Sequence, residues 1–213
     1  MNRGAAVRRV MAAFLLYFTI DTFSDIFYLQ LFGEKTGALF CLMLAALTTI
    51  PFAVFLYRKS PARFPFSLPH GKEIGMDFLM IGAILAAALL LNVLFAHLPA
   101  QFSTAGFESA QNTLSDGGLF LKILSEALII PALEEIIFRG LICGELASCM
   151  PTAAACILSA LIFGILHFNV VQFLYSFAVG LLLGFFYLKS KRLLVPYFGH
   201  AFSNLIVVLI FAS

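Results

Sequence analysis

Two glutamates stand side by side, Glu134 and Glu135, with Arg139 four residues later, in the run Pro131-Ala132-Leu133-Glu134-Glu135-Ile136-Ile137-Phe138-Arg139-Gly140. Two further pairs follow at four-residue spacing in apolar surroundings: Phe163 with His167, and His200 with Asn204. These residue types suit hydrolysis. A carboxylate whose pKa is raised by desolvation can draw a proton from water. An imidazole and an amide can donate to a developing oxyanion, an interaction worth about 2.7–4 kcal/mol per donor. On a helix, Glu135 and Arg139 share a face and can pair, whereas Glu134 points about 100° away and stays available. His200 and Asn204, one turn apart, can both donate to one point. The competing reading is a buried ion pair that only fixes packing, but it leaves a third charge unpaired. A single histidine in an apolar run is more often a packing residue; two of them, beside a tandem glutamate, point to a shared polar cavity.

The elements that hold these residues are strongly apolar. The chain has 213 residues, of which 62% are hydrophobic and 11% charged, with a mean hydropathy of +1.03. A soluble domain carries about 25% charged residues. The composition therefore describes an all-α, polytopic transmembrane helical bundle, with room for about seven spans of about 20 residues. In that setting charged side chains cost several kcal/mol unless paired or wetted, so they default to function. The net charge of +2 is too small to argue for nucleic acid. Cys41, Cys143, Cys149 and Cys156 show no zinc-ligand spacing and read as small buried hydrophobes.

Hydropathy predicts spans near 10–32, 37–57, 77–98, 119–147, 152–168, 170–188 and 193–212. Pro51 is expected to close the second early, and Pro131 to kink the fourth by removing the donor that would bond Ala127. The fourth span is carried past Arg139 towards Ala147 because otherwise Glu134 and His167 would differ in depth by over about 10 Å. Arg3, Arg8 and Arg9, then Arg58, Lys59, Arg63 and Lys72, then Lys189, Lys191 and Arg192 all fall on one side of that count. The loop over 99–118 carries Glu108 and Asp116 and no Lys or Arg. The positive-inside rule thus sets the N-terminus in the cytoplasm. Asp21 and Asp25 share a face of the first span, where they line a cavity, partner a basic group or lie at a wet outer end of a tilted helix. Asn92, His97 and His70 read as structural. No internal repeat is visible.

In their order, Glu134-Glu135-x-x-x-Arg139, Phe163-x-x-x-His167 and His200-x-x-x-Asn204 resemble the motif set of the CPBP family. These are the CAAX prenyl protease type 2 and bacteriocin-processing intramembrane proteases, also called Abi. The resemblance covers 119–213, read as catalytic core helices; 1–118 read as N-terminal transmembrane helices without a family motif. It implies a glutamate-dependent intramembrane endopeptidase in which Glu134 and His167 activate water. His200 and Asn204 would stabilise the oxyanion, and Glu135, Arg139 and Phe163 would support the site. No cofactor is certain. Glu134, His167 and His200 match the ligand types of a catalytic zinc, but H-E-x-x-H is absent, and a metal-free route is preferred. The implied partners are a membrane-associated peptide or protein substrate, prenylated or leader-bearing, and the lipid bilayer. The compact length suits a bacterial cell membrane, and the oligomeric state is left open. Two other readings stand beside it: a non-catalytic immunity or scaffold protein of the same fold, and a proton-coupled carrier, which would predict repeat symmetry between halves.

Overall fold

The computed structural model describes residues 3–67, 73–96, 112 and 117–211. His70, Lys72, His97, Glu108 and Asp116 lie outside them. Among the described residues seven helices and no strand form an all-α bundle. Helix α1 runs through Arg3–Leu16, a π-helical turn at Tyr17–Asp21, and Thr22–Thr36. Helix α2 is Ala38–Lys59 and α3 is Glu73–Ala96. Helix α4 is continuous over Leu119–Lys122, Ile123–Ile129, Ile130–Glu134, Glu135–Cys143 and Gly144–Ala147, the second and fourth segments being π-helical. Then come α5 (Thr152–Ile165), α6 (Val170–Ser190) and α7 (Leu194–Phe211).

Four stretches, Arg3–Gly33, Ala38–Lys59, Glu73–Phe95 and Val170–Ser190, are long and apolar enough to cross a membrane. Thr152–Ile165 and Leu194–Ile210 are apolar but shorter, and α4 is interrupted by charge. Outward-facing Phe23, Phe78 and Phe120 stay more than two-thirds exposed or nearly so (69%, 67% and 79%), as lipid-facing side chains do. Packing follows small residues. Val10 and Ala13 of α1, Ala46 and Ala53 of α2, and Leu133, Ile137, Phe138 and Leu141 of α4 share one core. Met80, Ile84 and Ala88 of α3 pack with Val179 and Leu183 of α6 and Val195 of α7 in a second. Two glycines permit the closest approaches: a Cβ on Gly140 would sit 2.7 Å from the Tyr57 ring, and one on Gly199 2.6 Å from Ile84.

Two expectations need correcting. Pro51 does not close α2, which continues to Lys59 with the proline inside it. Within a membrane a helix carries a proline at lower cost, because neighbouring helices and hydroxyl side chains accommodate the broken ladder. Thr48 and Thr49 donate to the carbonyls of Leu44 and Ala45 in the turn before it. Second, α5 stops at Ile165, so His167 lies just beyond the helix and not within it. The chain reverses there through Phe168, whose φ of 55° is left-handed, a conformation costing a side-chain-bearing residue roughly 1–2 kcal/mol. Asn169 then caps α6, its side-chain oxygen accepting from the Gln172 N–H at 2.9 Å. With 14 residues, α5 is only about 21 Å long, against about 30 Å of hydrocarbon.

The ends carrying basic clusters meet on one face. Arg9 of α1 and Ser60 after α2 both bind Glu145 near the end of α4. Arg192, between α6 and α7, pairs with Asp77 at 2.9 Å and with Glu73, both at the start of α3.

Candidate active site

The extension of α4 to Ala147 and the return of the chain at His167 bring three helices to one point. Glu135 and Arg139 pair within α4 at 2.9 Å, with about 1% of either side chain exposed. The same Glu135 oxygen accepts from His200 Nδ1 of α7, also at 2.9 Å. Since a carboxylate can only accept, Nδ1 carries hydrogen and the opposite ring nitrogen faces outward. That Nε2 lies 3.8 Å from the Glu134 carboxylate, within ion-pair range but beyond a hydrogen bond. Glu134 makes no closer charged contact among the described residues, and its side chain is 14% exposed. Adjacent residues therefore have different surroundings: Glu135 is held by Arg139 and His200, and Glu134 is the less enclosed of the two.

His167 arrives from the turn after α5. Its Nδ1 meets the Phe163 carbonyl at 2.9 Å; a carbonyl also only accepts, so the lone pair of His167 is on Nε2. Phe163 is the hub of the site. Its ring meets His167 edge-on at 5.0 Å and His200 at 6.4 Å, and packs on Phe138 at 4.9 Å. The Arg139 guanidinium covers its face at 4.5 Å. Ser159 secures this part of α5 to α4 by donating to the Phe138 carbonyl at 2.7 Å, an acceptor available where the α-helical ladder gives way to π-type bonding. Asn204 donates to the Glu126 carbonyl at 2.9 Å, which ties α7 to the upper π-helical stretch of α4. An amide has a second N–H to offer.

Glu126 and Tyr17 were not singled out from sequence, and Asp21 was noted there without a place in the site. Glu126 accepts from Asn204 through its carbonyl, while one of its carboxylate oxygens is buried without a partner among the described residues. Tyr17 packs edge-on against Phe138 at 5.3 Å. Asp21, from the adjoining π-helical turn, accepts from Thr49 at 3.2 Å and lies within electrostatic reach of Glu134. An aromatic and an acid four apart in the first span were the available signal. Glu145, by contrast, belongs to the ion pair with Arg9 at the basic face.

A divalent metal would need Glu134, His167 and His200 to converge. Among the described residues no three His, Cys, Asp or Glu side chains gather at ligand spacing. His200 Nδ1 donates to Glu135 and His167 Nδ1 to a backbone carbonyl, which leaves Nε2 of each ring as the nitrogen that could ligate. In this arrangement those nitrogens and Glu134 are not gathered at ligand spacing.

Residues 116–206 match the model of the type II CAAX prenyl endopeptidase Rce1-like family. A Bacillus subtilis (strain 168) protein named "Putative membrane peptidase YdiL" is 38% identical over 89 residues, which are 42% of this chain and 36% of that protein. The matched stretch thus spans about a third of the relative's length. No solved structure matches the chain. The matched residues contain all the motif positions, from Glu134 on α4 to Asn204 on α7, and over 116–206 the chain is similar to the Rce1-like family.

Proposed function

We propose that this protein is an intramembrane endopeptidase that hydrolyses a membrane-associated peptide, prenylated or leader-bearing, in a bacterial cell membrane. The carrying observation is that Glu134 and the Glu135–Arg139 pair meet His200 within apolar helices, and that the Phe163 ring lies between His200 and His167. Glu134 and the Nε2 of His167 are the two acceptors placed to take a proton from water. The resulting hydroxide adds to the scissile carbonyl, and the C–N bond then breaks to release a carboxylate and an amine, the amine taking up the proton. His200 can donate to the oxyanion only with hydrogen on Nε2 as well. Glu135 at 2.9 Å and Glu134 at 3.8 Å supply the counter-charge for that imidazolium. Two carboxylates, one guanidinium and one imidazolium then balance. The second N–H of Asn204 completes the oxyanion site.

The test is cleavage of candidate lipidated and leader peptides by wild type and Glu134→Gln in proteoliposomes, with folding of both checked by thermal unfolding. The expected result is loss of 10²–10⁴-fold in rate, about the contribution of a positioned base, at unchanged stability. Wild-type activity should persist in chelator. Equal cleavage by the two proteins would overturn the assignment of Glu134. A peptide-independent phenotype that survives Glu134→Gln would favour the scaffold reading.

A further inference from the structure

The Asn204 amide is oriented by a main-chain acceptor. Its Nδ2 donates to the Glu126 carbonyl at 2.9 Å. A carbonyl only accepts, so the amide nitrogen and not the amide oxygen must face it. That leaves the second N–H of Nδ2 for the oxyanion. An amide turned over would set Oδ1 against the carbonyl, lone pair against lone pair. The orientation therefore depends on a carbonyl inside a helix being free to accept.

Helical carbonyls are ordinarily taken by their own helix, from the N–H four residues on in an α-turn and five in a π-turn. The stretch Ile123–Ile129 of α4 is π-helical, and at its end the Ile130 N–H bonds the Ser125 carbonyl, five residues back. The donor that an α-turn would give Glu126 is thus spent one residue earlier. The donor that a π-turn would give it belongs to residue 131, which is a proline and has no N–H. Neither register supplies the Glu126 carbonyl, and the amide of Asn204 takes the vacant place from α7. A carbonyl just ahead of this stretch also draws on a side chain, the Ser125 hydroxyl donating to Leu121 at 2.6 Å.

We infer that Pro131 is a positioning residue: by withholding a main-chain donor it keeps the Glu126 carbonyl open, and that carbonyl aims the Asn204 amide at the oxyanion. This rests on the endopeptidase reading. His200, one turn earlier on α7, is held from the same helix by the Glu135 carboxylate at 2.9 Å. Helix α4 thus orients both oxyanion donors, one through a side chain and one through its backbone. Pro131→Ala restores an N–H. A π-turn hands it to Glu126; an α-turn hands it to Ala127 and returns the Ile130 donor to Glu126. Either way Asn204 must share its acceptor with the helix, and its orientation slackens.

The experiment compares steady-state peptide cleavage in proteoliposomes by wild type, Pro131→Ala, Asn204→Ala and the double variant. Pro131→Ala should lower kcat about tenfold, a part of the roughly 10²–10³ that loss of a whole oxyanion donor costs. KM should stay within about twofold, and Tm should hold or rise, because a proline inside a helix gives way to a better helix former. In the Asn204→Ala background the same substitution should change kcat by less than about twofold, since its effect runs through that amide. Pro131→lactic acid, introduced by nonsense suppression, has an ester oxygen in place of the N–H and no ring, and should return kcat to the wild-type level. A second measurement needs no turnover: in full-length Glu134→Gln protein labelled with ¹⁵N-asparagine, in nanodiscs, Pro131→Ala should shift the Asn204 side-chain amide signals. An unchanged kcat, an equal loss with and without Asn204, or unmoved amide signals would each overturn the inference. So would a Pro131→lactic acid protein as slow as Pro131→Ala, which would assign the effect to the proline ring. Shifted amide signals with no cleavage by wild type sink the endopeptidase reading and leave the coupling of Pro131 to Asn204 standing.

Discussion

Helix α4 buries two glutamates ten residues apart, Glu135 and Glu145, both fully buried, and each beside an arginine. Glu145 is satisfied on both oxygens. Arg9 reaches it through two N–H groups at 2.6 and 2.8 Å, and the Ser60 hydroxyl donates at 2.5 Å. Its partners come from two other parts of the chain, so the cluster ties the ends of α1, α2 and α4 together. Glu135 takes Arg139 and His200 on one oxygen, while its other oxygen and Arg139 Nη2 are buried without partners among the described residues. Native interiors leave few such groups unpaired. Complete satisfaction marks a clamp, and incomplete satisfaction marks a site with room for another participant.

The largest effect expected from that contrast is at Glu135. Glu135→Ala strands Arg139 in the interior, which should cost about 3–5 kcal/mol of stability and abolish peptide cleavage; unfolding in detergent and a cleavage assay read the two separately. Glu145→Ala should cost about 3 kcal/mol or less, because Arg9 is 32% exposed and can be hydrated. Cleavage per folded molecule should not change. If Glu145→Ala silenced cleavage at full stability, the division between clamp and site would collapse. Gly140→Ala drives a methyl into the Tyr57 ring and should cost about 1–3 kcal/mol, relieved when Tyr57→Val is added. Smallest in stability is Asp21→Asn, under about 1 kcal/mol, since Thr49 keeps its bond to the Ala45 carbonyl. A change in cleavage rate out of proportion to that loss would draw α1 into the site; an unchanged rate would make Asp21 a packing residue.

What was legible in the sequence was local. The pairing of Glu135 with Arg139 follows from one turn of helix, as does the separate environment of Glu134. The run of α4 to Ala147 was forced by depth alone. The Glu145 cluster was not readable, because its partners lie 136 and 85 residues away and nothing local pairs them. His200 reaching Glu135 is likewise a tertiary event. Pro51 was given its soluble-protein meaning, which the membrane relaxes. The early end of α5 had one usable cue: Asn169 immediately before an apolar run is a helix-start signal. The left-handed turn at Phe168 had none, since nothing about phenylalanine favours it.

The shortness of α5 reaches beyond the bundle. About 9 Å of hydrocarbon thickness is unaccounted for above its end, at the level of His167. The reversing backbone is polar, yet it answers much of its own demand: the His167 and Phe168 N–H groups bond back to Gly164 and Ile165, and the Asn169 amide covers the His167 carbonyl. Lipid tails facing this notch must therefore splay or thin, as they do around any hydrophobic mismatch. Acyl-chain length then becomes a control on hydration: thin bilayers bring water down to the imidazole, and thick ones seal it off.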